Sequence, residues 1–179
     1  RYFEYYFGKT PHLFRKNRTS VAIIDNQTTK NDLNNVSKDV FDYFGLGCRS
    51  VTKLYIEKGF DINSIFKSFY YAKEVMNHVK YMNNYDYNKA IYLLEDISFL
   101  DNGFMILREN ENLHSPVSVV NYEYFENIVE LNEKLKYIKD EIQCRVGVGG
   151  IAYGTAQNPS LSDYADGVDT IQFLINNLN

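Results

Sequence analysis

Hydrophobic positions change their spacing several times along the chain, and this predicts alternating strands and helices. The unbroken apolar run at residues 21–24 predicts a strand covered on both faces, and residues 51–56 have the β-branched and aromatic composition of a second strand. Between these runs, apolar residues recur at spacings of three and four from Leu33 to Phe44, which predicts a helix from Asn31 that ends at Gly45.

The same alternation continues to the end of the chain. It predicts a helix over about residues 63–82 behind the capping candidates Asp61 and Asn63, and a shorter helix at 88–95. Further on it predicts strands at 103–107 and 117–120, a long helix at 122–142, a strand at 145–148 and a terminal helix over about 164–178. Because parallel neighbours need a crossover, this order predicts an α/β domain with a largely parallel sheet flanked by helices. In residues 1–18, Gly8 and Pro11 argue against one continuous helix.

Composition narrows the class of protein. The chain has 179 residues, of which 45% are hydrophobic, so we expect one globular domain. With 19 basic and 23 acidic residues the formal net charge is −4, and nucleic acid is not an expected partner. No apolar stretch approaches the roughly 18 residues of a membrane span. The 2 cysteines are too few for a disulfide scaffold, and without a secretory signal we expect a cytoplasmic location.

Two features of the sequence, a glycine-rich loop and three histidines, match the patterns of known binding sites poorly. Residues 147–152, G-V-G-G-I-A, satisfy the dinucleotide pattern G-x-G-x-x-G/A, but no helix is predicted to begin in that loop to meet a pyrophosphate. The alternative is a loop that needs positive φ or close backbone approach. His12, His78 and His114 lie far apart, form no metal-ligand pairing, and stand in no recognisable relation to a cysteine along the sequence. We therefore expect no metal site.

Cys48 lies between the end of a predicted helix and the start of a predicted strand, behind Gly45 and Gly47. The glycines permit a tight backbone path that leaves the sulfur approachable, and the positive charge of Arg49 favours the nucleophilic thiolate. Backbone amides in such a turn can face the oxyanion that forms at an attacked carbonyl. The alternative for Cys48 is a buried structural cysteine beside a helix-ending glycine. Cys144, inside a predicted strand run, is interpreted as a structural cysteine.

Two motifs resemble one protein family. The stretch D-V-F-D-Y-F-G-L-G-C-R-S-V-T-K-L-Y-I at residues 39–56 resembles the cysteine region of LuxC-like acyl-CoA reductases, distant members of the aldehyde dehydrogenase superfamily. The stretch Y-G-T-A-Q-N-P-S-L-S-D-Y-A-D-G-V-D-T at 153–170 resembles that family's closing segment. A looser correspondence is L-H-S-P-V-S-V at 113–119, where the superfamily carries a Gly-Pro element and this chain has a serine before Pro116.

The resemblance implies a three-layer, aldehyde-dehydrogenase-like catalytic domain over residues 1–179. It implies that Cys48 accepts the acyl group. From the composition of the turn itself, Gly47 and Arg49 are expected to support the loop and the oxyanion. The substrate would be a fatty acyl thioester, acyl-CoA or acyl-protein, reduced to a fatty aldehyde by NADPH or NADH. The family's amino-terminal nucleotide-binding region, which would bind most of the cofactor, is expected to be absent from this chain. A homo-oligomer is expected, because superfamily enzymes are commonly oligomeric.

Two alternatives from other classes remain open. The first alternative is a non-catalytic oligomerisation module that uses the aromatic amino-terminal segment and the terminal helix as its interface. The second alternative is a thiol acyltransferase or hydrolase in which Cys48 acts together with a histidine.

Overall fold

Six strands form one sheet in the computed structural model, which describes residues 2–177. Their order across the sheet is β3-β4-β5-β2-β1-β6. All neighbouring pairs run parallel except β3 and β4. The expected α/β class with a largely parallel sheet flanked by helices is therefore confirmed. The strands are β1 (Thr19–Ile24), β2 (Val51–Glu57), β3 (Leu100–Asp101), β4 (Ile106–Glu109), β5 (Val119–Phe125) and β6 (Ile142–Gly147).

Six α-helices accompany the sheet within the described residues. They are α1 (Tyr2–Phe7), α2 (Lys30–Phe41), α3 (Ile62–Phe69), α4 (Val79–Leu94), α5 (Ile128–Tyr137) and α6 (Thr170–Asn176). Helices α2 and α3 lie on one face of the sheet and α5 lies on the other, which gives three layers. No helix of residues 2–177 combines the length and the apolar character that crossing a bilayer requires.

The core follows the alternation of side chains along β1, all of whose residues are buried. Ala22 and Ile24 pack in the cluster with α2, whereas Val21 and Ile23 pack in the cluster with α5. A strand covered on both faces needs apolar residues at successive positions, which is why the run at 21–24 is unbroken. On α2 the capping box of Thr29 and Asp32 fixes the helix start.

The helix predicted over residues 63–82 is wrong in extent. Helix α3, capped by Asp61, ends at Phe69, and a 3₁₀ segment, Tyr70–Asn77, separates it from α4. The helix predicted at 88–95 is the second half of α4, which begins beside His78. A 3₁₀ helix places residues i and i+3 on one side, so its apolar spacing continues the α-helical pattern.

The long helix predicted at residues 122–142 is also wrong. Its first part belongs to β5, a strand between β4 and β2, and its last residue begins β6. Between them lie α5, with Asn127 capping its start, and a 3₁₀ turn over Lys139–Glu141. The predicted strand at 103–107 is displaced to β4, and the one at 117–120 is the beginning of β5.

Two helix boundaries differ from prediction in the site region. Helix α2 ends at Phe41 rather than at Gly45, because Tyr43 and Phe44 have left-handed backbone conformations with φ of 56° and 59°. The terminal helix starts at Thr170 rather than near residue 164, after a left-handed Asp166. Position 178 of the predicted terminal helix lies outside the described residues.

Candidate active site around Cys48

The candidate site lies at the edge of the sheet where the parallel strands begin. Strands β1, β2 and β5 run in the same direction, so the segments that precede them meet at that edge. Cys48 precedes β2, Arg18 precedes β1, and His114 precedes β5. The sheet order therefore brings together side chains that are distant in sequence.

Cys48 is exposed and lines a cleft of about 440 Å³ at this edge. Among the side chains around the cleft are three cations, Arg15, Lys16 and Arg18, and one carboxylate, Asp166. Asp166 pairs with both arginines, at 3.1 Å from Arg15 Nη1 and 3.3 Å from Arg18 Nε. The cleft thus has two more positive than negative charges among these groups, although the whole chain is acidic. A positive potential at a cleft favours anionic groups, both a thiolate and an anionic substrate.

A tight turn presents the thiol. The Ser50 amide donates to the Gly47 carbonyl at 3.0 Å, and the Gly47 amide donates to Ser50 Oγ at 3.3 Å. Ser20 Oγ donates to the Cys48 carbonyl at 3.0 Å, which fixes the loop to β1. Within residues 2–177 the Cys48 amide has no hydrogen-bond acceptor. This N–H, rather than that of Gly47, is therefore free to donate to a bound oxygen.

Arg49 is not among the residues that line the cleft. Its Nε donates to the Ala156 carbonyl, and its Nη2 lies 3.9 Å from Asp163 Oδ2. The Arg49 side chain thus binds the closing segment to the Cys48 loop. Its support of the thiolate stays a prediction. Gln157 Nε2 adds a hydrogen bond to Ser50 Oγ at 3.2 Å.

Asp39 makes the strongest link between the two motifs. It is only 1% exposed and accepts hydrogen bonds from the Gly154 amide at 2.6 Å and the Ala156 amide at 2.9 Å. Burial raises its pKa, and the two amide hydrogen bonds oppose that shift. The motif at 39–56 and the motif at 153–170 therefore form one continuous hydrogen-bonded unit in the fold.

Cys144, unlike Cys48, is buried in β6. Its amide donates to Ser20 Oγ at 3.1 Å, so the same hydroxyl bridges the backbones of both cysteines. Burial raises the pKa of the Cys144 thiol, and the Ser20 hydrogen bond and the charge of Arg49 oppose the shift. A buried, protonated thiol is a poor nucleophile, which agrees with a structural role for Cys144.

The glycine loop at residues 147–152 does not fit a pyrophosphate. No helix begins in it, since the next α-helix starts at Thr170. A Cβ on Gly147 would lie 2.5 Å from the Ile23 carbonyl oxygen and 2.4 Å from the Tyr153 ring, and one on Gly150 would lie 2.1 Å from the Arg145 carbonyl oxygen. These glycines let the loop pack closely against neighbouring backbone and side chains. The second interpretation of the sequence, a loop whose glycines are needed for close backbone approach, is therefore confirmed.

The three histidines have different surroundings. His12 Nδ1 bonds to the Thr10 carbonyl and its ring stacks on Phe14. His78 Nδ1 accepts from the Tyr81 amide at 3.2 Å at the start of α4, and its ring stacks on Phe44 with centroids 4.1 Å apart. His114 lines the cleft that contains Cys48. Among residues 2–177, no group of three His, Cys, Asp or Glu side chains is placed to hold a metal ion.

Sequence reasoning missed the cleft residues other than those of the Cys48 loop. The sequence shows that Arg15, Lys16 and Arg18 form a basic cluster, but not that the cluster lies near Cys48. It shows His114 only as an isolated histidine. The signal that points to them is their place directly before β1 and β5, because parallel strands begin at one common edge.

No family model matches the sequence, and no curated protein matches it. Among solved structures, the chain is similar to an oxidoreductase from Marinobacter aquaeolei, with 7% identity and a TM-score of 0.48 over 74% of this chain and 34% of that one. It is also similar to AldH from Staphylococcus aureus, with 8% identity and a TM-score of 0.49 over 74% and 34%. A third match is an NAD-dependent aldehyde dehydrogenase from Sinorhizobium meliloti, with 7% identity and a TM-score of 0.49 over 90% and 35%.

The chain spans about a third of the length of these three structures.

Proposed function

We propose that this chain is the cysteine-bearing catalytic domain of an aldehyde-forming acyl-CoA reductase. Cys48 is its nucleophile, and Gly47 and Arg49 hold the loop that carries it. The observation that supports this proposal is the exposed Cys48 thiol in a positively charged cleft. Around it, the two motifs that resemble LuxC-like reductases are joined by the hydrogen bonds of Asp39 and Arg49.

The residues of this chain account for the acyl-transfer half of the reaction. The Cys48 thiolate attacks the carbonyl carbon of the thioester and forms a C–S bond, and the carbonyl π electrons move to oxygen. The free Cys48 amide donates to that oxyanion. When the intermediate collapses, the bond to the coenzyme sulfur breaks and a coenzyme thiolate leaves. The product is an acyl group in thioester linkage to Cys48.

The cofactor in this proposal is NADPH or NADH, which supplies the hydride that converts an enzyme thioester to an aldehyde. The glycine loop packs on its own chain and no helix begins in it, so it offers no pyrophosphate site, and we propose that the cofactor's binding region lies outside this chain. Reduction of a thioester to an aldehyde consumes no water, and we accordingly assign no hydrolytic base.

Acylation of this chain tests the nucleophile. We expect the chain, mixed with a radiolabelled long-chain acyl-CoA, to acquire one hydroxylamine-sensitive acyl group, seen by intact mass and by label retained after denaturation. Cys48→Ser and Cys48→Ala should acquire none, and the matched control Cys144→Ala should react like the parent chain. Acyl label retained on the Cys48→Ala chain would refute the assignment.

A second candidate function, an oligomerisation module, is favoured by apolar side chains on two short helices. In α1 Tyr2 and Tyr5 are 82% and 81% exposed, and no residue of α6 is buried. Light scattering tests it: a defined oligomer that Tyr5→Ser in α1 or Ile171→Ser in α6 dissociates would support the module, and a monomer would refute it. The proposed reductase does not depend on the outcome.

A further inference from the structure

His114 differs from the other two histidines because its ring has no structural task. Both His12 and His78 use a ring nitrogen in a hydrogen bond and stack on a phenylalanine. Within residues 2–177 the imidazole of His114 makes no hydrogen bond, and the side chain is exposed in the Cys48 cleft. Both ring nitrogens of such a histidine are available to accept or donate a proton.

The backbone around His114 is nevertheless fixed against the start of β2. Thr52 Oγ1 donates to the Leu113 carbonyl at 3.0 Å, and Ser115 Oγ donates to the Thr52 carbonyl at 3.2 Å. The His114 carbonyl accepts from Asn121 Nδ2 at 3.0 Å. These bonds join the segment to the strand that directly follows the Cys48 turn, so His114 and Cys48 are presented to the same cleft by a rigid edge of the sheet.

We propose that His114 is the proton acceptor and donor for Cys48, a role that deepens the proposed function and rests on it. The imidazole takes the Cys48 thiol proton, and the resulting thiolate attacks the thioester carbonyl. The imidazolium then returns that proton to the departing thiolate, which leaves as a free thiol. No proton or electron is gained or lost overall. The substrate class is an acyl thioester whose carrier is anionic, since the other charged groups around the cleft are Arg15, Lys16, Arg18 and Asp166.

Alkylation of Cys48 tests the proton role without requiring any acyl substrate. The parent for the experiment is the Cys144→Ala chain, in which Cys48 is the only thiol. Iodoacetamide rates are measured by intact mass between about pH 5 and pH 9.5 for the parent, for His114→Gln and for the matched control His12→Gln. We expect the parent to show two steps in its pH–rate profile, because a thiolate paired with an imidazolium reacts below the pH at which an unpaired thiol ionises.

His114→Gln should lose the lower step and react about tenfold more slowly than the parent at about pH 6.5, with equal rates at about pH 9.5. His12→Gln should follow the parent, and Lys16→Gln should lower the rate while retaining both steps. A His114→Gln profile that superimposes on the parent profile would overturn the proposal. If the parent shows both steps yet accepts no acyl group, the proposed reductase fails while the thiol–imidazole pair stands.

Discussion

Replacing Asp39 by alanine tests whether the two motifs form one structural unit. The carboxylate is almost completely buried on α2 and accepts both the Gly154 and the Ala156 amides. Hydrogen bonds to a charged acceptor contribute about 1.5–3 kcal/mol each, and a buried donor without a partner is costly. Removing a desolvated charge returns part of that loss, so we expect Asp39→Ala to lower the free energy of unfolding by about 2–4 kcal/mol near neutral pH.

The pH dependence of that loss has a definite sign. Burial raises the pKa of Asp39, so its folded value lies above its unfolded value. The contribution of such a carboxyl to stability is fully present below the unfolded pKa and is lost as the pH rises through the folded pKa. The destabilisation caused by Asp39→Ala should therefore be larger at about pH 4 than at about pH 8, where the wild-type chain holds a desolvated charge.

Urea denaturation at several pH values measures this difference, and hydrogen exchange at the Gly154 and Ala156 amides localises it. Asp42→Asn is the matched control, because Asp42 is an exposed carboxylate just beyond the same helix and should change stability by less than about 0.5 kcal/mol. A loss below about 1 kcal/mol in Asp39→Ala, or unchanged exchange at the two amides, would refute the linkage of the motifs. A loss that grows with pH would refute the assigned direction of the pKa.

Gly147→Ala should destabilise the fold by more than about 2 kcal/mol in urea, whereas Gly59→Ala should cost only about 1 kcal/mol. Both residues have positive φ, but only a Cβ on Gly147 meets other atoms, so equal costs would contradict this prediction. Glu123→Gln should cost about 3 kcal/mol because it removes the carboxylate 3.0 Å from the fully buried Lys53 ammonium, which then keeps only the Asn110 carbonyl as an acceptor. In a Lys53→Met background the same change should cost much less, as a double-mutant cycle will show. Cys144 should resist iodoacetamide until urea unfolds the chain, and alkylation in the folded state, seen by peptide mass, would show that it is not buried.

The strands at the centre of the sheet were predictable because their sequence pattern has one physical cause. The run at 21–24 is buried on both faces, and no helix-forming pattern competes with it. The helices around α3 and α4 were less predictable, because the 3₁₀ segment Tyr70–Asn77 keeps apolar residues at spacings that an α-helix would also show. The caps Asp61 and Asn127 marked the true helix starts, but only Asp61 was recognised as a capping candidate.

The turn that ends α2 could not be predicted from the sequence. Tyr43 and Phe44 both adopt positive φ, which bulky residues rarely do, and only Gly45 signalled a left-handed backbone. The early end of the helix shapes the path to Cys48, because the 3₁₀ turn over Asp42–Gly45 and the Gly47 turn carry the chain from α2 to the start of β2. The sequence could therefore indicate which cysteine is presented, but not the backbone path that presents it.

The proposed partner of Cys48 depends on strand order, and strand order is a property of the whole sheet. β5 follows β2 in the chain only after α3, α4 and two other strands, yet it pairs with β2, from Lys53 opposite Asn121 to Glu57 opposite Phe125. Had β5 paired instead with the outer side of β6, β1 and β6 would separate the segment that carries His114 from the Cys48 turn. Cys48 and His114 thus line one cleft because long-range pairing, which no local pattern encodes, places the segment before β5 beside the segment before β2. Any variant that weakens this pairing should reduce Cys48 reactivity at neutral pH even where the loop sequence around the cysteine is unchanged.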